Sequence, residues 1–257
     1  MRKELACPRC GGAVFWHIRN VPEYSGDGSE KALAVSLQRP APVAWWKVAL
    51  SWNASEPVAS GWFELLVCEG CSHVEWYARA IDGAELKVEP FACAACGGGE
   101  AWRIPTLKER GRNGRVSIKV LPVLAGGLSN DGHYSLAVCT GCGFTEFTAR
   151  ETQWVSEHRH GVSVDKTACR CGAPERLRIA QAEEGTDEGF RPLHLSRAVG
   201  GRGRAGDVGA LSPTICRRCG ATEWRALGLG DLREDAARGV SRFDAKERLV
   251  DSRGPYR

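Results

Sequence analysis

The chain alternates apolar and polar side chains in three short segments, each of which follows a pair of cysteines. These segments are residues 16–18, 102–104 and 177–179, and each carries a Trp or Leu and an Ile two positions apart. Because side chains alternate between the two faces of a strand, these apolar residues share one face, which we expect to lie in a core. The opposite face carries residues that we expect to meet solvent: His17, Arg103 and Arg178.

Two further extended segments complete each repeat. The second segments are residues 32–37, 115–120 and 192–195, and the third segments are residues 63–67, 134–138 and 211–215. Gly-rich, polar loops join them, as hairpin connections require. Pro213 predicts an edge strand, because proline cannot donate a hydrogen bond to a sheet ladder. The pattern therefore predicts an all-β protein built from small units of three or more antiparallel strands.

A longer pattern recurs after the third segment of every repeat. A Cys-x-x-Cys turn is followed by a Glu four residues later, an aromatic residue five later and an Ala seven later. One Glu per repeat indicates a structural role, such as a salt bridge or a cap to neighbouring strands. The recurring residues are Glu75, Glu146 and Glu223, with Trp76, Phe147 and Trp224 next to them.

The 12 cysteines form six close pairs, two in each repeat. An apolar core is marginal in units of roughly 60 to 80 residues, so each unit needs a staple. Zinc takes four tetrahedral ligands, which two Cys-x-x-Cys turns joined by a hairpin supply. Four thiolates leave no open coordination position, so we expect three structural Zn²⁺ per chain. The predicted ligand sets are Cys7, Cys10, Cys68 and Cys71; Cys93, Cys96, Cys139 and Cys142; and Cys169, Cys171, Cys216 and Cys219.

The third site differs from the other two in one turn. Cys169-Arg-Cys171 has one residue between its cysteines, where the other turns have two. Replacement of one ligand by His158, His160 or His194 is therefore an alternative for this site. In every repeat a Gly follows the first pair of cysteines, and we expect positive φ at these glycines, with amide N–H groups that point at the sulfurs.

A disulfide framework is the alternative use of the cysteines, and it accompanies export from the cell. Residues 1–7 contain no apolar run of signal-peptide length, and the longest apolar segment, residues 42–50, is interrupted by Lys47. That segment is also shorter than the ~20 residues that span a bilayer. We therefore expect reduced cysteines, a cytoplasmic location and no membrane partner. A net charge of +4 and a pI of about 8.5 neither require nor exclude a nucleic-acid partner.

The repeat also predicts the domain boundaries. Residues 1–85 form a first zinc ribbon with a Trp-rich hairpin insertion, residues 86–161 a second, residues 162–230 a third, and residues 231–257 a charged tail. In the tail, residues 231–238 and 241–250 predict short charged helices before a disordered end. For the Trp-rich insertion we favour packing on its own sheet over an exposed binding surface.

The second repeat carries a resemblance to a known family. Its Cys139-Thr-Gly-Cys142-Gly-Phe-Thr-Glu-Phe147 run, which follows a hairpin and a Cys93-x-x-Cys96-Gly turn, resembles short bacterial zinc-ribbon proteins described as predicted nucleic-acid-binding. More loosely, the pattern is similar to the rubredoxin-like ribbons of transcription factors and ribosomal proteins. The resemblance implies the ribbon fold, zinc ligation and nucleic-acid binding. The first repeat departs from it at Ser72 and His73, and three ribbons in one chain depart from the single-ribbon members.

Two non-enzymatic functions follow from these features. Nucleic-acid binding through basic hairpin loops is one, since such residues can track phosphates. A protein-interaction adaptor that uses the ribbons and the Trp-rich insertion is the alternative. An enzyme with a small-molecule substrate is not expected, because no Gly-rich phosphate loop, nucleophile elbow or His-Glu-x-x-His motif is present. The basic hairpin residues are Lys108, Arg110, Arg112, Arg115, Arg202 and Arg204.

Overall fold

The structure, a computed structural model, is built almost entirely from antiparallel β-strands, as the alternation of side chains predicts. It describes residues 6–19, 21–24, 30–32, 34–40, 55–81, 83, 86–105, 108–109, 116–117, 133–150, 152, 161–186, 189–199 and 205–245. Thirteen of its strands belong to one sheet that runs through all three ribbons.

The first and second ribbons each contribute six described strands. Those of the first are β1 (Val14–Ile18), β2 (Pro22–Tyr24), β3 (Glu30–Ala32), β4 (Ala34–Pro40), β5 (Ser55–Cys68) and β6 (His73–Arg79). Those of the second are β7 (Lys87–Pro90), β8 (Glu100–Ile104), β9 (Lys108–Glu109), β10 (Val116–Ser117), β11 (His133–Cys139) and β12 (Phe144–Arg150).

The third ribbon contributes eight described strands and leads into one more. They are β13 (Val162–Asp165), β14 (Arg176–Ile179), β15 (Glu183–Thr186), β16 (Gly189–Pro192), β17 (Ser196–Val199), β18 (Ala205–Val208), β19 (Ala210–Ile215) and β20 (Ala221–Leu227). A 3-10 helix (Leu229–Asp231) and strand β21 (Val240–Asp244) follow.

All three ribbons share one pairing scheme. The strand after the first pair of cysteines pairs with the strand before the second pair, as β1 with β5, β8 with β11, and β14 with β19. That strand then pairs with the strand after the second pair of cysteines, as β5 with β6, β11 with β12, and β19 with β20. We call β6, β12 and β20 the central strands.

The central strands pair with one another in a closed ring. Residues 76–77 of β6 pair with 144–145 of β12, residues 147–148 of β12 with 221–222 of β20, and residues 224–225 of β20 with 73–74 of β6. Counted from the last cysteine of each ribbon (Cys71, Cys142 or Cys219), positions +5 and +6 of one ribbon always face positions +2 and +3 of the next. The ribbons are therefore related by an approximate threefold rotation. We call each junction a seam.

The recurring aromatic residue at position +5 lies at the centre of this ring. Trp76, Phe147 and Trp224 contact one another with ring centroids 5.0, 5.4 and 5.3 Å apart. Apolar residues from all three ribbons surround them in one core, including Ile18, Ile104 and Ile179. Aromatic contacts of this kind contribute about 0.5–1.5 kcal/mol each beyond the area that they bury. The three ribbons thus share a single core.

An edge strand flanks each ribbon at an equivalent register. Lys87 of β7, Ser163 of β13 and Ser241 of β21 pair with Arg103, Arg178 and His17, respectively. In the second and third ribbons the edge strand precedes the first cysteine. In the first ribbon it comes from the C-terminal region instead.

The helix predicted at residues 231–238 is wrong, and the helix predicted at residues 241–250 is wrong over residues 241–244, whereas residue 245 is helical. Residues 240–244 form β21, and turns and an Asp235–Val240 bridge occupy much of the segment before it. The reason is that Val240 and Phe243 are apolar and become buried against β1, where Phe243 stacks on Phe15 at 5.9 Å. The part of the predicted second helix beyond residue 245 lies outside the described residues.

Pro213 does not mark an edge strand, because β19 pairs with both β14 and β20. Proline still cannot donate toward β14. The Ser212 hydroxyl donates to the Ile179 carbonyl at 2.6 Å in its stead. This side-chain hydrogen bond lets proline occupy an interior strand.

The polar positions of the first predicted strands are less exposed than expected. His17 is 5% exposed and lies beside Glu64, with 3.3 Å between Nε2 and Oε2, so its predicted exposure is wrong. Arg103 and Arg178 are half-buried and pair with Glu89 and Asp165. A carboxylate on an adjacent strand explains why each of these positions is partly covered.

The predicted domain boundaries stay a prediction. Trp45, Trp46 and Trp52 of the first-ribbon insertion lie outside the described residues. Within the described ranges, β4 pairs with β5 and lies close to β9 of the second ribbon.

Candidate metal centres

The cysteine turns, which we call knuckles, are built by short backbone hydrogen bonds. In the first knuckles the Gly11 and Gly97 N–H groups donate to the carbonyls of Cys7 and Cys93 at 2.8 and 2.9 Å. Gly11, Gly97 and Gly172 have φ values of +72°, +75° and +84°, which confirms the predicted left-handed conformation. Glycine adopts this conformation without the steric cost that a Cβ imposes.

The shortened knuckle of the third ribbon closes by a tighter turn. The Gly172 N–H donates to the Cys169 carbonyl three residues back, whereas the other first knuckles span four residues. The next hydrogen bond, from Cys169 N–H to the Ala173 carbonyl at 2.8 Å, matches the Cys7–Gly12 bond of the first ribbon. The missing residue is therefore absorbed inside the turn.

The structure brings the twelve cysteines together in the three sets of four expected from the spacing. Within each set the sulfur atoms all lie within 4.8 Å of one another. The first cysteine of one knuckle always faces the last cysteine of the other. These Sγ–Sγ distances are 3.6 Å (Cys7–Cys71), 3.7 Å (Cys93–Cys142) and 3.6 Å (Cys169–Cys219).

This geometry fits tetrahedral zinc. With Zn–S bonds of about 2.3 Å, tetrahedral sulfurs lie about 3.8 Å apart. A disulfide would require about 2.05 Å, and all twelve cysteines are free. The structure is therefore compatible with three zinc ions, each with four thiolate ligands and no open position.

The thiols of each set differ in acidity. The Gly12 N–H, which lies 3.4 Å from the Cys10 sulfur, contributes most to lowering the pKa of Cys10 to about 7. Burial opposes the same shift at Cys96, yet the Gly98 N–H and neighbouring thiols lower its pKa to about 7. Such N–H groups stabilise a thiolate ligand.

Other members of each set hold their protons more strongly. Burial raises the pKa of Cys68 and of Cys219 to about 12, and burial also raises the pKa of Cys93 and Cys142. Zinc must displace these protons to bind, so its affinity rises with pH. Bound zinc would supply the charge that holds four thiolates together.

Of the three histidines considered as alternative ligands of the third site, the structure places His194 outside the ligand set. His194 Nδ1 lies 2.9 Å from the Gly209 carbonyl oxygen, and the described site consists of the four cysteines. His158 and His160 lie outside the described residues.

The three centres differ in the charge between their cysteines. The second centre has only Ala94, Ala95, Thr140 and Gly141 at these positions. In the first, Arg9 and Glu69 balance each other, and Glu69 is held by Arg242 at 2.7 Å. The third centre carries Arg170, Arg217 and Arg218, all of which are exposed.

The recurring glutamates lie next to the seams, in keeping with the structural role expected for them. Glu223 of the third ribbon accepts from Arg9 of the first ribbon at 2.6 Å and from the buried Arg176 at 2.7 Å. Glu146 interacts electrostatically with Arg170 of the third ribbon. Glu75 is buried and accepts from the Tyr77 hydroxyl at 2.9 Å.

Sequence reasoning missed these contacts between ribbons. Their signal was the recurrence of a Glu and an aromatic residue at fixed offsets, together with Gly143 and Gly220 at position +1. The Ala78 and Ala149 N–H groups donate to the carbonyls of these two glycines at 2.8 Å across the seams.

The basic hairpin residues are not brought into a described site. Lys108 lies in β9. The others, Arg110, Arg112, Arg115, Arg202 and Arg204, lie outside the described residues.

Comparison of the chain with protein-family models, curated proteins and solved structures finds no match. The resemblance to the bacterial zinc-ribbon family stays a prediction. Over the described part of the chain, the structure has no helix with the length and apolar character needed to cross a membrane.

Proposed function

We propose that this protein is a non-catalytic, zinc-stapled scaffold that binds nucleic acid. The observation that carries this proposal is the third metal centre, where Arg170, Arg217 and Arg218 project from the two knuckles and are exposed. A zinc ion with four thiolates carries a net charge of −2 and the three arginines carry +3, and one of them, Arg170, also interacts with Glu146 of the second ribbon. Arginine guanidinium groups bind phosphate oxygens in a bidentate manner.

The rigidity of the third knuckle supports this role. Arg218 donates to the Cys171 carbonyl at 3.3 Å and so bridges the two knuckles of the centre. Bound zinc would fix the backbone of both knuckles through its four thiolate ligands. Guanidinium groups held on a stapled turn lose less conformational entropy on binding than groups on a free loop.

The experiment compares the zinc-loaded full chain with R217A/R218A in salt titrations against a fluorescent single-stranded oligonucleotide. Each lost phosphate contact lowers the slope of log K against log salt by about 0.7 for single strands, so the double variant should lower it by about 1.4. The matched control is K87A/R150A, which removes the same charge from exposed positions of the second ribbon. Equal affinity and slope in all three proteins would contradict the proposal.

A protein-interaction adaptor is the second candidate, and one residue favours it. Trp62 of β5 is 40% exposed next to the Trp-rich insertion, and exposed Trp is enriched at interface centres. Purification from the native host after nuclease treatment, with wild type and W62A in parallel, tests it. A stoichiometric protein that survives nuclease and is lost in W62A would favour the adaptor.

A further inference from the structure

The outer face of the seam between the third and first ribbons is lined by arginines. Across β14, β19 and β20, Arg178, Thr214 and Glu223 form one row of neighbours. In the next row Ser212 faces Arg225, which in turn faces His73 of the first ribbon. Ser212 and Thr214 are only 4% and 3% exposed, so surrounding side chains cover this part of the face.

Guanidinium groups outnumber carboxylates in this cluster. Glu223 is shared by Arg9 and Arg176, and Asp165 pairs with Arg178. Arg225 is only partly exposed, and it is attracted electrostatically by Asp165, whose carboxylate is already paired with Arg178. Nε atoms of Arg176 and Arg178 are also buried without an acceptor in the described part of the chain. Four arginines thus face two carboxylates.

The other two seams show that Arg225 is not needed to close the ring. The equivalent pair at the first–second seam is Tyr77 and Phe144, whose rings lie 5.8 Å apart. At the second–third seam it is Thr148 and Ala221. The backbone pairing is the same whether these two positions hold two aromatic residues, two small residues, or an arginine and a histidine. Backbone pairing therefore does not require a cation at the third–first seam.

Arg225 is held in an unfavourable place for a cation. Burial lowers the pKa of Arg225, repulsion from Arg9 and Arg178 adds to the effect, and attraction by Asp165 and Cys71 opposes it only in part. A bound anion would offset this cost, because it would supply both an acceptor and a countercharge.

We infer that the third–first seam binds a phosphate group between Arg9, Arg178 and Arg225. The side chains of Arg9 and Arg178 are 27% and 41% exposed, so their donors are accessible from solvent. Guanidinium groups bind phosphate oxygens through paired N–H donors, so three of them suit one phosphate group. The inference stands apart from the proposed function, since inorganic phosphate fits the cluster as well as a phosphate of a nucleic acid does.

The test is calorimetric titration of inorganic phosphate into the zinc-loaded full chain at low ionic strength, with sodium chloride as a reference. Loss of one charge-assisted contact in R225Q should weaken binding about tenfold or more. R150Q is the matched control, because Arg150 is an exposed arginine on the central strand β12 and hydrogen bonds to Ser135. It should stay within about twofold of wild type.

Equal weakening by both variants, or no saturation in wild type, would overturn the inference. Since Cys71 of the first metal centre also attracts Arg225, zinc content is measured in parallel. Loss of zinc from R225Q with phosphate affinity unchanged in R178Q would assign Arg225 to that centre instead and would overturn the site.

Oligonucleotides with and without a 5′-phosphate then separate the two sources of the ligand. Preference for the phosphorylated end, lost in R225Q, would assign the seam to a nucleic-acid terminus. Binding of inorganic phosphate alone would assign it to a free anion. R217A/R218A keeps its phosphate affinity in either case, so failure of the proposed function and failure of this site are distinguishable.

Discussion

The first–second seam and the third–first seam have the same backbone and opposite surfaces. Both pair positions +5 and +6 of one central strand with positions +2 and +3 of the next. The first–second seam is covered by the Tyr77 and Phe144 rings, and Arg79 donates across it to the Cys142 carbonyl at 2.9 Å. The third–first seam presents Arg225 and the Arg9–Glu223 ion pair.

This difference distinguishes the residues that assemble the ring from those that vary on its surface. The inward-facing aromatic residues at +5 and the backbone pairing recur at every seam, so they carry the assembly. The outward-facing residues at +6 and +2 are aromatic, small or cationic without a change in pairing. They are therefore the positions at which the surfaces of the three similar seams differ.

The first–second seam is covalently continuous through the segment between the ribbons, whereas the third–first seam is followed by the chain that forms β21. Deletion of residues 240–257 should therefore open the first ribbon selectively. Phe243 and Ala245 pack with Cys7 and Cys68 in one cluster. The zinc content, measured by elemental analysis, should therefore fall from three ions per chain to two. Deletion of residues 246–257, which keeps β21, is the control and should retain three. Three zinc ions in both proteins would show that β21 is dispensable.

The aromatic cluster at the centre of the ring is common to all three seams, so its disruption should affect all three ribbons. Phe147→Ala removes the ring that contacts both Trp76 and Trp224, and a cavity in this core should cost about 3–5 kcal/mol. Because all ribbons share the core, urea unfolding followed by Trp fluorescence and by zinc release should give one coincident transition at a lower midpoint.

Phe144→Ala is the control for the central ring. Phe144 is half-buried, contacts Tyr77 at one seam and packs beside the second metal centre, away from the central ring, so its loss should cost less than the loss of Phe147. Zinc release from the second ribbon alone in Phe147→Ala would show that the ribbons unfold independently.

The metal ligands were predictable because knuckle spacing is local and repeats three times. The ring was not, because it depends on contacts between side chains that are distant in sequence, such as Trp76 with Trp224. β21 was missed because Val240 and Phe243 are three residues apart, a spacing that fits a helix face, whereas in the strand they lie on opposite faces and enter different clusters. The edge strand predicted from Pro213 was wrong because the Ser212 hydroxyl replaces the missing backbone donor. That hydrogen bond depends on the position of β14, which the sequence does not give.

The residue at position +1, directly after the last cysteine of a ribbon, differs between the two seams. A Cβ on Gly143 would collide with the Ala78 carbonyl oxygen, whereas Ser72 occupies the equivalent position of the third–first seam at φ +59°. Gly143→Ser should therefore cost about 3 kcal/mol in urea unfolding, since it combines backbone strain with a broken seam contact. Ser72→Gly should change stability by less than about 1 kcal/mol.

Gly97→Ser isolates the strain in this experiment. Gly97 has nearly the same φ, +75°, but no atom lies within 4 Å of the position that a Cβ would take there. Its substitution should cost about 1 kcal/mol. Equal losses of unfolding free energy in Gly143→Ser and Gly97→Ser would mean that the close approach to the Ala78 carbonyl oxygen adds nothing to the backbone strain.

The ion pair of the third–first seam gives the smallest expected effect. Arg9→Gln removes an exposed partner of Glu223, so it should cost less than about 1 kcal/mol. Glu223→Gln should cost more, about 1–3 kcal/mol, because Arg176 is 3% exposed and loses its charged acceptor. The double variant, measured by urea unfolding at constant zinc, should cost little more than Glu223→Gln alone. If the losses of unfolding free energy in the two single variants add up to the loss in the double variant, Arg9 acts independently of Glu223. The ion pair would then not stabilise the seam.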